Sequence, residues 1–214
     1  MKLYYLAGSC ALAPHIALEL SGLTYEVARI ERGKQFEPTY LAINPLGRVP
    51  ALVTADAGTI TEVPAVLAYI ADRVPKIGLL PGAGSRERYD ALRWMAYLAS
   101  TIHPALGRLW RPERFASDEA CMSSIEQAAA KQLAEDFAYI DEQIAEKKWV
   151  AGPVLSVADL HLFVFGRLGL RLTPSTREFP NFYRHTVSVA ALTATARAMK
   201  QQGIALEGPK SGPG

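Results

Sequence analysis

The sequence predicts an α/β N-terminal domain followed by an all-α C-terminal domain, on three observations. Short strand-like runs confined to the first third alternate with helical periodicity, a stretch rich in Pro and Gly follows them, and helical periodicity almost without strand signal fills the remainder. The chain has 214 residues, enough to bury a substantial core in one large or two small units.

Lys2 to Leu6 (KLYYL) reads as a strand that stops at Ala7-Gly8-Ser9. Leu12, Ile16, Ala17 and Leu20 then recur at helical spacing until Ser21-Gly22. Tyr25 to Ile30 (YEVARI) alternates apolar and polar residues, which gives a second strand and completes a βαβ unit expected to cross over right-handed. Ala51 to Thr54 and Thr59 to Thr61 flank the turn-like Ala55-Asp56-Ala57-Gly58, and Pro64 to Val74 returns to helical spacing. The order βαβ–ββα is the plan of a small thioredoxin-like domain, expected over residues 1–76.

Residues 77–85 form the expected linker, since Pro and Gly leave no room for an element longer than a turn. The helical domain is expected over 86–206, with helices at Arg86–Leu109, Asp118–Ala145, Val157–Leu168 and Asn181–Gln201. Residues 207–214 (EGPKSGPG) lack apolar content and are expected to form a flexible tail. In Leu155-Ser156-Val157-Ala158-Asp159-Leu160, Ser156 is the N-cap, Asp159 its N3 partner and the two leucines a hydrophobic staple, so Asp159 reads as structural.

Charge and cysteine content narrow the function classes. Lys and Arg total 23 against 21 Asp and Glu, a near balance that provides no long-range field to gather nucleic acid or an anionic membrane. The N-terminal stretch is interrupted by polar residues before a signal peptide or membrane span could form. Two cysteines, Cys10 and Cys121, imply no disulfide framework, and free thiols suit the cytoplasm. His15, His161 and His185 have no metal-like spacing, so no metal site is expected.

Four places carry potential chemistry, each with a plainer reading beside it. Cys10 lies where the first helix begins, and the unpaired N–H groups there would favour its thiolate; the plainer reading is a small buried apolar residue. Ser9 is the next nucleophile candidate at the same helix start, and Ala13 removes the C-x-x-C pair of a two-thiol oxidoreductase. Val49-Pro50 leads straight into a strand, which suits either a cis peptide presenting the Val49 backbone to an extended peptide or an ordinary loop proline. Glu62 and the Val63 N–H open a helix and suit an amino-acid zwitterion, unless Glu62 only complements its own helix dipole. His103, just before Pro104 among apolar residues, fits a core or kink residue as well as a catalyst.

Taken in order, MKLYYLAGSCALAPHIALE, NPLGRVPALV, TEVPAVLAYIADRVP, WMAYLASTIHPAL and VADLHLF resemble the cytosolic glutathione S-transferase family, and particularly its bacterial beta class. The resemblance implies glutathione as co-substrate, transfer of its thiolate to a small hydrophobic electrophile, and a homodimer. It places Cys10 and His103 beside the glutathione sulfur, where Cys10 can form a mixed disulfide. The Val49 backbone before cis Pro50 would pair with the cysteinyl unit, Glu62 and Val63 N–H would hold the γ-glutamyl end, and Lys34 and Arg48 are candidates for the glycyl carboxylate. Tyr5, Leu106, Trp110 and Phe115 are candidates to line the electrophile pocket, although aromatics at such spacings also build cores. Two positions depart from the pattern: Val63 stands where the family usually has Ser or Gly, which removes a hydroxyl contact and brings a β-branched group to the site, and Ala96 stands where Asn is common. The departures keep a second class of function open, a non-catalytic carrier or partner-binding protein, beside a glutathione-dependent isomerase or disulfide reductase.

Overall fold

A computed structural model describes residues 1–207, so the tail expected at 207–214 lies outside the described residues except for Glu207. Strand β1 (Lys2–Tyr5), helix α1 (Leu12–Ser21) and strand β2 (Glu26–Arg29) form the expected βαβ unit, with β1 and β2 parallel from Lys2 opposite Glu26 to Tyr5 opposite Arg29. Gly22 ends α1 at φ 67, a left-handed conformation that glycine adopts without steric cost. A turn at Lys34–Phe36 and the one-turn helix α2 (Pro38–Leu41) follow, and neither has enough periodicity to be read from sequence. Strands β3 (Ala51–Thr54) and β4 (Gly58–Thr61) complete a sheet of order β2-β1-β3-β4, and helix α3 (Val63–Arg73) closes the unit. Leu3 and Leu52, directly opposite each other on β1 and β3, are fully buried with Leu12, Ile16, Val66, Leu67 and Ile70 of α1 and α3.

Beyond α3 the long elements are the helices α4 (Arg86–Tyr97), α5 (His103–Trp110), α6 (Glu119–Gln143), α7 (Val157–Gly169), α8 (Pro180–Ala190) and α9 (Thr193–Gln202). The single helix expected at 86–109 is divided by a π-helical turn at Leu98–Ile102. Pro104 explains the division, because it has no N–H for the Ser100 carbonyl and its ring would collide there, and a wider turn absorbs both problems. The helix expected at 181–201 is likewise two, because Leu192 leaves the helical conformation (φ −66, ψ 134) and packs on the core. Helix α7 is buried along nearly its whole length and touches α1, α3, α4 and α8, so it is the axis on which both halves pack. Gly166 permits that packing: a Cβ there would collide with Thr186 Oγ1 of α8. Among the described residues no helix is long and apolar enough to cross a membrane.

The Ser156–Asp159 box is present at the start of α7, where the Ser156 N–H and hydroxyl both donate to Asp159 Oδ2 at 2.8 Å. Asp159 also accepts from Val150 N–H at 2.8 Å, and its Oδ1 meets His185 Nε2 at 3.0 Å. It therefore joins α7 to α8 and to the preceding loop as well as capping its own helix.

Candidate functional site

The turn between β1 and α1 is built by Ser9, whose hydroxyl donates to the Leu6 carbonyl at 2.8 Å and accepts from Ala11 N–H at 3.3 Å. The Ser9 hydroxyl, a candidate nucleophile by sequence, is thus engaged at both ends in shaping the turn. Cys10 follows, only 9% exposed, with its Sγ donating to the Val49 carbonyl at 3.5 Å. Burial pushes the Cys10 thiol up to about 12, reinforced by the charge of Glu62 and opposed by local backbone N–H groups. This corrects the expectation of a favoured thiolate: desolvation outweighs the helix start, and Cys10 is a neutral thiol at physiological pH.

Val49 is delivered by a loop that two side chains hold through one carbonyl. Tyr40 OH and Asn44 Nδ2 each donate to the Arg48 carbonyl at 2.7 Å, and Asn44 Oδ1 accepts from Leu46 N–H at 3.1 Å. The Val49–Pro50 peptide is cis. Asn44, 2% exposed, was missed as a functional support although Asn-Pro is a turn signal, and Tyr40 has no local signal. The Arg48 side chain is exposed. Gly47 (φ 61) is packed so closely that a Cβ would stand 2.8 Å from the Phe36 ring, which sets the Lys34–Phe36 turn against this loop. Lys34 itself is exposed and pairs with Glu37 at 2.5 Å.

Glu62 has φ 65 and ψ 127, the one non-glycine residue among those described with positive φ. Such a conformation costs about 1–3 kcal/mol and concentrates at functional sites. Its carboxylate is exposed, while the Val63 side chain, 5% exposed, joins the core rather than the surface that Glu62 presents. The concern that Val63 crowds the site is corrected accordingly. His103 opens α5 directly after the π turn, with its ring 6.0 Å from that of Phe165. Though solvent reaches it, its surroundings desolvate it enough to lower its pKa, with Glu62 acting in the opposite sense and Arg48 in the same one. An accessible yet desolvated imidazole is what a cleft wall produces. Cys10 meets Val49 directly, and the charge of Glu62 is felt at both Cys10 and His103, with that of Arg48 felt at His103.

The four pocket candidates differ sharply in exposure. Tyr5 is 4% exposed against the His15 ring and Leu106 is 1% exposed, so both are core and are corrected as pocket walls. Trp110 is partly buried on the core, and Phe115 is 55% exposed with the Arg108 guanidinium 6.0 Å above its ring. A concavity of about 470 Å³ lined by Val187, Ala191, Met199 and Ile204 shares no residue with the Cys10 neighbourhood.

Both halves of the chain match families of known proteins. Residues 7–73 match the family described as glutathione S-transferase, N-terminal domain, and residues 113–192 match glutathione S-transferase, C-terminal domain. The chain is 33% identical to the glutathione S-transferase GstA of Escherichia coli O157:H7 over 76% of this chain and 79% of that protein. A sphingomonad glutathione S-transferase complexed with glutathione superposes with a TM-score of 0.86 at 33% identity, covering 96% of this chain and all of that one. The bacterial beta class glutathione S-transferase of Sphingomonas chungbukensis superposes equally well, with a TM-score of 0.86 at 31% identity over 96% of this chain and 100% of that one.

Proposed function

The chain belongs to the glutathione S-transferase family, and from that premise we propose that it transfers the thiolate of glutathione to a small hydrophobic electrophile in the cleft around Cys10. The observation that carries this reading is the 3.5 Å contact of Cys10 Sγ with the Val49 carbonyl, within the influence of the Glu62 charge, which is also felt at His103. An extended peptide pairing with Val49 brings its own cysteinyl sulfur beside Cys10. Glu62 takes the ammonium of the γ-glutamyl end, the N-terminus of α3 at Val63 takes its carboxylate, and Arg48 and Lys34 attract the glycyl carboxylate.

Cys10, protonated, is suited to donate a hydrogen bond to the glutathione sulfur rather than to compete with it as nucleophile. Neutral His103 accepts the glutathione proton or donates to the thiolate that remains. That thiolate attacks the electrophilic carbon, a sulfur–carbon bond forms, and the leaving group departs with its electron pair. Trp110 and Phe115 are the pocket candidates with exposed ring surface left to meet an apolar substrate. The exposed apolar side chains of Phe36 (58%) and Leu46 (60%) near the first-domain loops, and of Tyr89 (60%) on α4, support a homodimer. Two free cysteines support a cytoplasmic setting.

Steady-state turnover of an activated aryl halide with reduced glutathione tests the reading. Saturable conjugation that falls in a His103→Ala variant is expected. Binding of glutathione without turnover of any electrophile would replace it with the carrier function.

A further inference from the structure

The backbone of Gly8, two residues before Cys10, is gripped at both polar groups by the helical half of the protein. Its N–H donates to Gln202 Oε1 at 3.0 Å, and its carbonyl accepts from Arg167 Nη1 at 3.5 Å. Arg167 Nε also donates to the Ala205 carbonyl at 3.0 Å. Gly8 has φ 72, and a Cβ built on it would stand 3.4 Å from Arg167 Nη1 and 3.8 Å from Ile204 Cγ2, so the guanidinium lies close against the loop.

Arg167 is an unusual residue to spend on ordinary packing. It is 2% exposed, and among the described residues its hydrogen-bond acceptors are the two carbonyls, with no carboxylate in ion-pair range. Burial, aided by the like charge of Arg171, pushes its pKa down to about 10. An arginine buried without a counter-charge is costly, and an apolar side chain of similar length would fill the space at lower cost. What the guanidinium adds is a fixed direction for the Gly8 carbonyl, and with it the plane of the Gly8–Ser9 peptide.

Gln202 extends the grip beyond the loop. Its Nε2 meets His15 Nδ1 at 3.1 Å, and the other ring nitrogen of His15 meets Gln201 Oε1 at 2.7 Å. Helix α9 is therefore bonded to the chain on both sides of Cys10, at Gly8 before it and at His15 one turn into α1.

We propose that Arg167 and Gln202 are positioning residues for the thiol chemistry: by fixing the N–H and carbonyl of Gly8 from the second domain, they set the turn that aims Cys10 Sγ at Val49. The consequence for conjugation rests on the proposed function, whereas the consequence for Cys10 itself does not. The reactivity of the cysteine thus depends on two side chains that touch neither the thiol nor the substrate.

The experiment uses the full chain carrying Cys121→Ser, so that Cys10 is the one thiol. An aromatic disulfide reports on it directly: the Cys10 thiolate attacks one sulfur, one S–S bond breaks as another forms, and the released aryl thiolate is read by absorbance. Arg167→Met and Gln202→Leu are expected to raise that rate by about fivefold or more, by loosening the turn over a buried thiol. In glutathione conjugation they are expected to lower kcat by about tenfold with KM for glutathione shifting less than about twofold, and Arg167→Lys is expected to recover most of the loss. Should Arg167→Met fail to fold, judged by near-ultraviolet circular dichroism, Gln202→Leu carries the comparison. Unchanged thiol rate and kcat in folded Arg167→Met or Gln202→Leu, whatever their Tm, would overturn the proposal. Absence of conjugation by the parent protein would instead count against the function, leaving the disulfide rate to judge the clamp.

Discussion

The thiol of Cys10 donates to the carbonyl of Val49 across 3.5 Å, joining the turn before α1 to the loop before β3, 39 residues further along the chain. The contact brings together two segments whose sequences give no sign of each other, and it leaves the sulfur almost without water. Its chemistry follows from that burial more than from the helix start next to it.

The first prediction concerns the protonation of this group. A thiol pushed up to about 12 stays neutral in the folded protein while an unfolded-chain thiol ionises near 8.5. The folded state is thus favoured below that lower value and loses this advantage progressively as pH rises from there toward the folded value of about 12. Iodoacetamide alkylation of the Cys121→Ser protein should keep accelerating past pH 9 without a plateau. A plateau near pH 7 would mean that the local backbone donors outweigh desolvation after all.

Replacing Cys10 by Ala removes a small, nearly buried group and leaves the backbone of the turn in the hands of Ser9. The fold should persist, with a stability change of about 1 kcal/mol. Mass spectrometry after treatment of the parent protein with oxidised glutathione should find the adduct forming first on exposed Cys121 and only slowly on buried Cys10. Modification of Cys10 as fast as that of Cys121 would contradict its assignment as a buried neutral thiol.

Glu62 combines a strained backbone with a charge that supports both His103 and the Cys10 proton. Glu62→Gly should raise thermal stability by about 1 kcal/mol by relieving the positive φ, while weakening glutathione binding. Glu62→Gln should leave the strain and lower the pKa of His103 further, which nuclear magnetic resonance titration of its ring protons would follow. A rise in that pKa would contradict the assigned neighbourhood.

Asp159 is fully buried and accepts from Val150, from both donors of Ser156 and from His185. Asp159→Ala should cost about 3–5 kcal/mol in urea unfolding, because it strands several buried donors at once. A cost below about 1 kcal/mol would indicate a cap and nothing more.

Much of the fold could be read from local pattern. The alternation at Tyr25–Ile30 and the helical spacing after Cys10 each reflect a face that must be buried, and the strands and α1 lie within a residue or two of the expected ends. The π turn before His103 was not legible, since Pro104 marks an interruption without saying whether the helix breaks or widens. Tyr5 and Leu106 were misassigned because an apolar residue facing a pocket and one facing the core have the same spacing. The pKa of Cys10 was misjudged because the helix start is local while the burial comes from Val49 and the domain around it. Arg167 and Gln202 were beyond reach for the same reason, lying 159 and 194 residues from the glycine they hold.

Calorimetric titration of the protein with reduced glutathione tests the central claim most directly. The account predicts one site per chain with a Kd between about 1 μM and a few mM, weakened by about tenfold or more in Glu62→Gln, where a charge-assisted contact to the γ-glutamyl ammonium is lost. No detectable heat with the parent protein at millimolar glutathione, or equal affinity in the two proteins, would contradict it.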